Sequence, residues 1–276
     1  MISRRHLLAS STSLPLAAAA TNSVERFVRF QAAGSPSSWG VVQGDSVRAL
    51  DRAPYLNGKP RGKALPLNSV KLLAPATPPK VLAVGLNYKS HIGQRPVPKE
   101  PEIFYKPTTC LQNPGDPIII PPGANNVHYE GELVLLLGQG GRNLTLEQAR
   151  AAIFGVACGN DVSERDWQNG AQKDLQCWRA KGADTFGPLG PYLVRGVDFT
   201  NLLLQTRLNG EVVQKQTTAD LLFNPFQIIQ YISRFVTLET GDIIYTGTPG
   251  STRKMKSGDV VEVEIQELGV LRNPIR

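Results

Sequence analysis

Apolar and polar residues along this chain fall into short patterns that predict strands more often than helices. VERFVRFQ (24–31) alternates apolar and polar positions, as a half-buried strand does. SSWGVVQGDSVRAL (37–50) reads strand, turn, strand, with Gly44 and Asp45 at the turn. VLAVG (81–85) is an apolar, β-branched run that suits a fully buried strand. EIFYKP (102–107), DPIIIPP (116–122), the long VHYEGELVLLLG (127–138) and AIFGVACGND (152–161) follow as further strands. Near the C-terminus, GDIIYTGTP (241–249) and SGDVVEVEIQELGVLRNPI (257–275) complete the set, with strict alternation at Val261, Val263 and Ile265. Helices are few. TLEQARAA (145–152) has Thr145 as N-cap and Gln148 to close a capping box. A second helix starts near Pro225, and SERDWQNGAQ (163–172) predicts a short helix or turn. The Pro/Gly/Lys-rich stretch 52–66 predicts a surface loop. The outcome is a β-rich α+β fold, a roll or sandwich with peripheral helices. It divides into a small β region at 24–72, an extended proline connector, and a main domain at 78–276.

Composition refines this picture without redirecting it. The chain has 276 residues, 41% hydrophobic and 19% charged, which is enough for a full core. Its net charge is +7, but lysines and arginines are scattered, with only a short group at Arg253, Lys254 and Lys256. That argues against a nucleic-acid partner. Cys110, Cys158 and Cys177 are odd in number and form no CxxC pair, so neither a disulfide framework nor a thiolate zinc site is expected. Cys158, in an apolar run, reads as a buried thiol. Residues 1–20 look like an export signal ending in Ala18-Ala19-Ala20, with a twin-arginine pattern at Arg4 and Arg5. The expectation is a cleaved leader and a periplasmic protein, or a cytoplasmic one should the signal not function. No apolar segment approaches the roughly 20 residues needed to span a bilayer, so no membrane partner is expected after removal of the leader.

The chemistry gathers around three carboxylates. Glu130 and Glu132 are two apart, so in a strand they share a face. They enter the apolar run 133–137, where two like charges repel and lose hydration. A divalent cation relieves both costs, and oxygen donors suit Mg²⁺, Mn²⁺ or Ca²⁺. The alternative is a set of solvated carboxylates on an edge strand. Asp161 ends a neighbouring buried strand. His128 shares the glutamate face by period two, more as a supporting or structural group than as a ligand. Arg165 and Gln168 fall near one side of a helical turn and are candidates for holding a substrate carboxylate, with a surface salt bridge as the competing reading. Lys181, in the Gly-rich loop AKGADTFGPLGP, is a candidate to stabilise an enolate, with Asp184 to orient it, although a lone loop lysine is usually just solvated. His91, at the end of NYKSH, is a candidate general base, although a lone histidine is often structural. Thr246 and Thr248 lie in a glycine turn suited to an anion.

In order, VGLNYKSH, EIFYKP, HYEGELVLLLG, GNDVSERDWQ, AKGADTFGPLGP, YTGTPG and the final GDVVEVEIQELGVLRNPI resemble the fumarylacetoacetate hydrolase family. The resemblance covers roughly residues 78–276, and 24–72 is similar to the family's small N-terminal region. It implies a mixed β-sandwich roll, homodimers or larger assemblies, and a Mg²⁺, Mn²⁺ or Ca²⁺ ion on Glu130, Glu132 and Asp161. It also implies substrate contacts from Arg165, Gln168 and Lys181, and from Thr248 to a substrate carboxylate. The implied substrates are small carboxylic acids: C–C bonds of acylpyruvates or fumarylacetoacetate-like compounds hydrolysed, or oxaloacetate-like and hydroxymuconate-type acids isomerised or decarboxylated. C–C hydrolysis leads on family frequency. A metal-binding homologue without turnover is the further alternative. Two positions depart from the family pattern. Many members carry a glutamate three residues after the histidine, where this chain has Gln94, which orients but does not charge-stabilise His91. Glu100 and Glu102 are possible substitutes. Leu86 stands where some relatives carry arginine, which removes one cationic contact for a substrate acid and points to a less acidic substrate.

Overall fold

The computed structural model describes residues 23–276. The strands in chain order are β1 (Glu25–Gln31), β2 (Ser38–Gln43), β3 (Ser46–Leu50), β4 (Pro60–Pro66), β5 (Lys71–Leu73), β6 (Val81–Gly85), β7 (Glu102–Lys106), β8 (Leu111–Gln112), β9 (Val127–His128) and β10 (Gly131–Leu137). They continue as β11 (Ile153–Asn160), β12 (Ser163–Glu164), β13 (Gly187–Arg195), β14 (Leu203–Leu208), β15 (Glu211–Thr217), β16 (Ile243–Tyr245), β17 (Val260–Ile265) and β18 (Gly269–Pro274). The α-helices are α1 (Lys89–Ile92), α2 (Leu146–Ala152), α3 (Arg165–Asn169), α4 (Trp178–Gly182) and α5 (Pro225–Phe235).

A mixed sheet runs in the order β4-β3-β2-β1-β13-β11-β10-β16-β6-β7, with β5 on β1 and β8 on β13. The N-terminal strands are therefore continuous with the main sheet, because β1 pairs with β13 through Glu25–Arg195 to Phe27–Leu193. A second sheet, β15-β14-β17-β18, packs across it. Between them lies the largest core, with Leu133, Leu135 and Leu137 of β10 against Leu204, Val263, Ile265 and Leu271 of the second sheet. Ile228, Ile229 and Ile232 of α5 close one side. The other face of β10 offers Val134 and Leu136 to a second cluster with Ala157, Leu189 and Tyr245. β10 is thus buried on both faces, which is why its sequence is a continuous apolar run rather than an alternation.

Helices α2 and α5 begin as the sequence predicts. Thr145 accepts from the Gln148 backbone N–H while the Gln148 side chain caps in return, and Asn224 does the same with Gln227 ahead of Pro225. Three local expectations are corrected. The predicted loop 52–66 ends in β4, an edge strand whose seven residues are all exposed, so no burial alternation marks it. The predicted strand at 116–122 is a single parallel bridge, Ile118 to Ile275, held beside the C-terminal strand by Ile118 N to Pro274 O and Ile120 N to Arg276 O. Its flanking prolines lack the N–H needed to extend a ladder. The predicted long strand 127–138 breaks between β9 and β10, at Tyr129 and Glu130.

Candidate active site

That break shapes the site. β10 and β11 run antiparallel, with Gly131 opposite Asn160 and Glu132 opposite Gly159. Asp161, just past β11, therefore lies beside Glu130: Asp161 N donates to Glu130 O, and Glu130 N donates to Asn160 Oδ1, each at 2.8 Å. Glu130, Glu132 and Asp161 are buried, and one oxygen from each lies within 4.8 Å of the others. Close packing of the two strands requires glycine at 159. A Cβ there would lie 2.4 Å from Val134 Cγ2 and 2.6 Å from Tyr245 Cε1.

Cations and N–H donors surround the cluster. Lys181 Nζ donates to Glu130 Oε2 at 2.5 Å and to Asp161 Oδ2 at 2.6 Å. Arg165 Nη2 donates to Glu130 Oε1 at 2.6 Å, and its Nη1 to Gln168 Oε1 at 2.7 Å. Lys106 Nζ donates to Asp161 Oδ1 at 2.6 Å, and also to the carbonyls of Lys181 and Phe186. Among the described residues, Glu132 Oε2 receives only the backbone N–H of Gly247, at 2.7 Å. The two glutamates consequently differ. Burial opposes ionisation of both, but Lys181 and Arg165 hold Glu130 well below the usual carboxylate range. Burial, then the charges of Asp161 and Glu130, push Glu132 well above it. A buried set of hard oxygen donors, in which Glu132 meets a backbone N–H rather than a cation, is the chemistry that fits a divalent cation, and Glu130, Glu132 and Asp161 are the residues able to hold one.

His91 ends the first turn after β6. Its Nδ1 lies 2.6 Å from Gly250 O, and its Nε2 lies 3.8 Å from Glu130 Oε1. Burial, more than any neighbour, lowers its pKa below the ordinary imidazole value. His91, Glu130, Glu132, Arg165, Gln168 and Lys181 line one cavity of about 500 Å³, whose apolar wall includes Val84, Leu86, Ile103 and Phe104.

Of the residues singled out by sequence, the fold brings together His91, Glu130, Glu132, Asp161, Arg165, Gln168, Lys181 and Thr248. The Thr248 hydroxyl donates to Gly131 O and accepts from Gln214 Nε2, both at 2.9 Å, so it is held by the protein while lining the cavity. Lys181 sits on α4 rather than in a loop. Gln94 is not brought in: it is exposed and off the cavity wall, and Gly250 O meets His91 instead. Asp184 is exposed and makes no hydrogen bond to Lys181. Glu100 accepts from Tyr231, whereas Glu102 lines the cavity. His128 is turned away by the break after β9. Its Nε2 meets Asn126 Oδ1 and its Nδ1 meets Thr252 Oγ1, and that hydroxyl in turn accepts from Arg165. Burial and then Arg165 push His128 down to about 4. It supports Arg165 and is not part of the carboxylate cluster. Sequence reading missed Lys106, Gly247, Gly250 and Thr252. Lys106 left a trace as a charged residue ending a half-buried strand, and Gly247 as part of the glycine turn read as suited to an anion, where its N–H meets the Glu132 carboxylate.

Comparison with known proteins fits this geometry. The family model described as fumarylacetoacetate (FAA) hydrolase C-terminal matches residues 80–276, and one described as Rv2993c-like, N-terminal, matches residues 25–75. An uncharacterized protein of Archaeoglobus fulgidus is 47% identical over 214 residues, covering 77% of this chain and 84% of the relative. The mitochondrial oxaloacetate tautomerase FAHD2A of Homo sapiens is 42% identical over 251 residues, covering 85% of this chain and 78% of the relative. The crystal structure of 5-carboxymethyl-2-hydroxymuconate delta-isomerase from Mycobacterium smegmatis superposes with a TM-score of 0.84 at 37% identity, covering 91% of this chain and 98% of that one. These relatives overturn the expected periplasmic export, since the human protein is mitochondrial by name and another relative is archaeal. The leader at 1–20 that suggested export lies outside the described residues. Relatives with named activities are enzymes, and the sequence, the fold and the family match agree: this chain belongs to the fumarylacetoacetate hydrolase family.

Proposed function

We propose that this protein is a metal-dependent tautomerase, moving a proton between carbon and oxygen of a 2-oxo carboxylic acid through its enolate. The observation that carries this reading is the partner of His91. A backbone carbonyl can only accept, so Nδ1 bears the proton and Nε2 is left as a free base. His91 Nε2 then takes a proton from the carbon next to the 2-oxo group and returns it to the oxygen, giving the enol without water. Arg165 and Gln168 hold the substrate carboxylate, and Lys181 offers positive charge to the developing enolate. A divalent cation on Glu130, Glu132 and Asp161, Mg²⁺ or Mn²⁺ by donor hardness, would supply Lewis-acid polarisation of the substrate oxygens. Phe104, beside Lys181, and Ile103 limit water around these groups.

The named relatives support proton transfer, one as an oxaloacetate tautomerase and one as a delta-isomerase. C–C hydrolysis of an acylpyruvate, favoured by family frequency, takes second place because it asks His91 to activate water while its Nδ1 meets a backbone carbonyl rather than a carboxylate. Proton NMR of Mg²⁺-loaded protein with oxaloacetate and an acylpyruvate in D₂O separates the two. Accelerated deuterium exchange at C3, lost in His91→Asn, is the expected result. Cleavage of the acylpyruvate outpacing exchange would overturn the proposal.

A further inference from the structure

The cavity holds a second guanidinium that this reaction does not use. Arg95 follows α1; it is exposed, yet it lines the same cavity as His91, Glu130, Arg165 and Lys181. Its Nε donates to Ile92 O at 3.1 Å and its Nη2 to His91 O at 3.2 Å. These bonds fold the side chain back over the turn that carries His91. They engage only part of the five-donor fork of an arginine, so N–H groups on both terminal nitrogens remain available. Arg165 is more fully committed, to Glu130, Gln168 and Thr252. The ion pairs around the cavity involve His91, Lys106, Arg165 and Lys181; Arg95 has no acidic partner within ion-pair distance among the described residues. Glu102 lines the cavity as well, so any gain from Arg95 is the difference between the two charges.

A guanidinium without an ion-pair partner, lining a cavity that also presents Arg165 and Lys181, suits an anion with two acidic ends. The free N–H pair matches a carboxylate bidentately. We infer that Arg95 binds a second carboxylate of the substrate, so that the protein selects 2-oxo diacids over 2-oxo monoacids. This rests on the tautomerase reading for its substrate head group, and it reverses the expectation from Leu86 of a less acidic substrate.

The test uses matched pairs that differ only by a carboxylate in place of a methyl group: oxaloacetate with 2-oxobutanoate, and 2-oxoglutarate with 2-oxopentanoate. For Mg²⁺-loaded wild type and Arg95→Gln, deuterium exchange gives kcat/KM and calorimetry gives Kd for each acid. The diacid-to-monoacid ratio is expected to fall about tenfold or more in Arg95→Gln, the scale of a lost charge-assisted pair. The loss should appear in KM and Kd rather than kcat. A ratio unchanged within twofold overturns the inference. Should Arg95→Gln fail to fold, Arg95→Lys keeps the charge and loses the fork; a fall in its ratio supports the assignment and a wild-type ratio rejects it. If wild type exchanges none of the four acids, the tautomerase reading fails by itself, and the Kd ratios still decide the role of Arg95.

Discussion

His91 Nδ1 lies 2.6 Å from the carbonyl oxygen of Gly250, 159 positions further along the chain. The contact fixes the tautomer of the imidazole and turns Nε2 toward the carboxylate cluster. His91→Asn is therefore expected to slow proton exchange by about 10²- to 10⁴-fold, the usual share of a general base. The pH profile follows from the direction of the His91 shift. Burial, with Arg165 and Lys181, lowers its pKa, while Glu130 and Gly250 O oppose that. The base works unprotonated, so kcat/KM is retained as pH falls past the ordinary imidazole value of about 6.5 and is lost only below it. An acid limb centred above pH 7 contradicts this assignment.

Glu132 makes metal binding pH-dependent. Burial and two neighbouring carboxylates raise its pKa, so it must lose a proton to become a ligand. Mg²⁺ or Mn²⁺ affinity should weaken as pH falls, and calorimetry in buffers of different ionisation enthalpy should register proton release. Chelation should lower Tm. Restoring metal to about a hundred times Kd should return stability worth about 2.7 kcal/mol. A Tm indifferent to EDTA and to added metal counts against the site.

Lys106 is buried and joins Asp161 to two carbonyls on the α4 side. Lys106→Met removes one partner of a buried ion pair, which costs about 3–5 kcal/mol. Urea unfolding measures it. A loss below about 1 kcal/mol, the scale of an exposed pair, would mean that Asp161 does not depend on this lysine.

Gly247 has φ of +106°, and a Cβ there would lie 2.7 Å from Asn87 Cβ. Its N–H is the donor to Glu132. Gly247→Ala is expected to lose about 1–3 kcal/mol through backbone strain and to weaken metal affinity as Glu132 moves. Unchanged affinity in a destabilised protein would separate the turn from the site.

Gln94 stands where many family members place a glutamate, yet it is exposed and away from the cavity. Gln94→Ala should leave exchange rates within about twofold, as surface substitutions generally do. A tenfold loss would bring Gln94 back into the mechanism.

Much of the fold was legible because it rests on local pattern. The buried strands β6, β10 and β11 announced themselves as apolar runs, and α2 and α5 by their caps. β4 was not legible, because an exposed edge strand is defined by backbone pairing to β3 and not by its side chains. The break at Tyr129 and Glu130 was hidden for a similar reason. The alternation continues through it, and only pairing of β9 with β12 and of β10 with β11 separates the two pieces.

By itself the sequence determined the chemical types at the site and, through the order of its motifs, the family. Glu130, Glu132 and Asp161 could be paired by spacing and strand ends, since period-two geometry is local. Tertiary structure decided what those groups meet. Lys106 reaches Asp161 across 55 positions, Gly247 reaches Glu132 across 115, and Gly250 replaces Gln94 as the partner of His91. Each is a backbone or long side-chain contact made by bringing distant strands into one sheet, so no local pattern encodes it. That difference is what shifts the favoured reaction from hydrolysis toward tautomerisation.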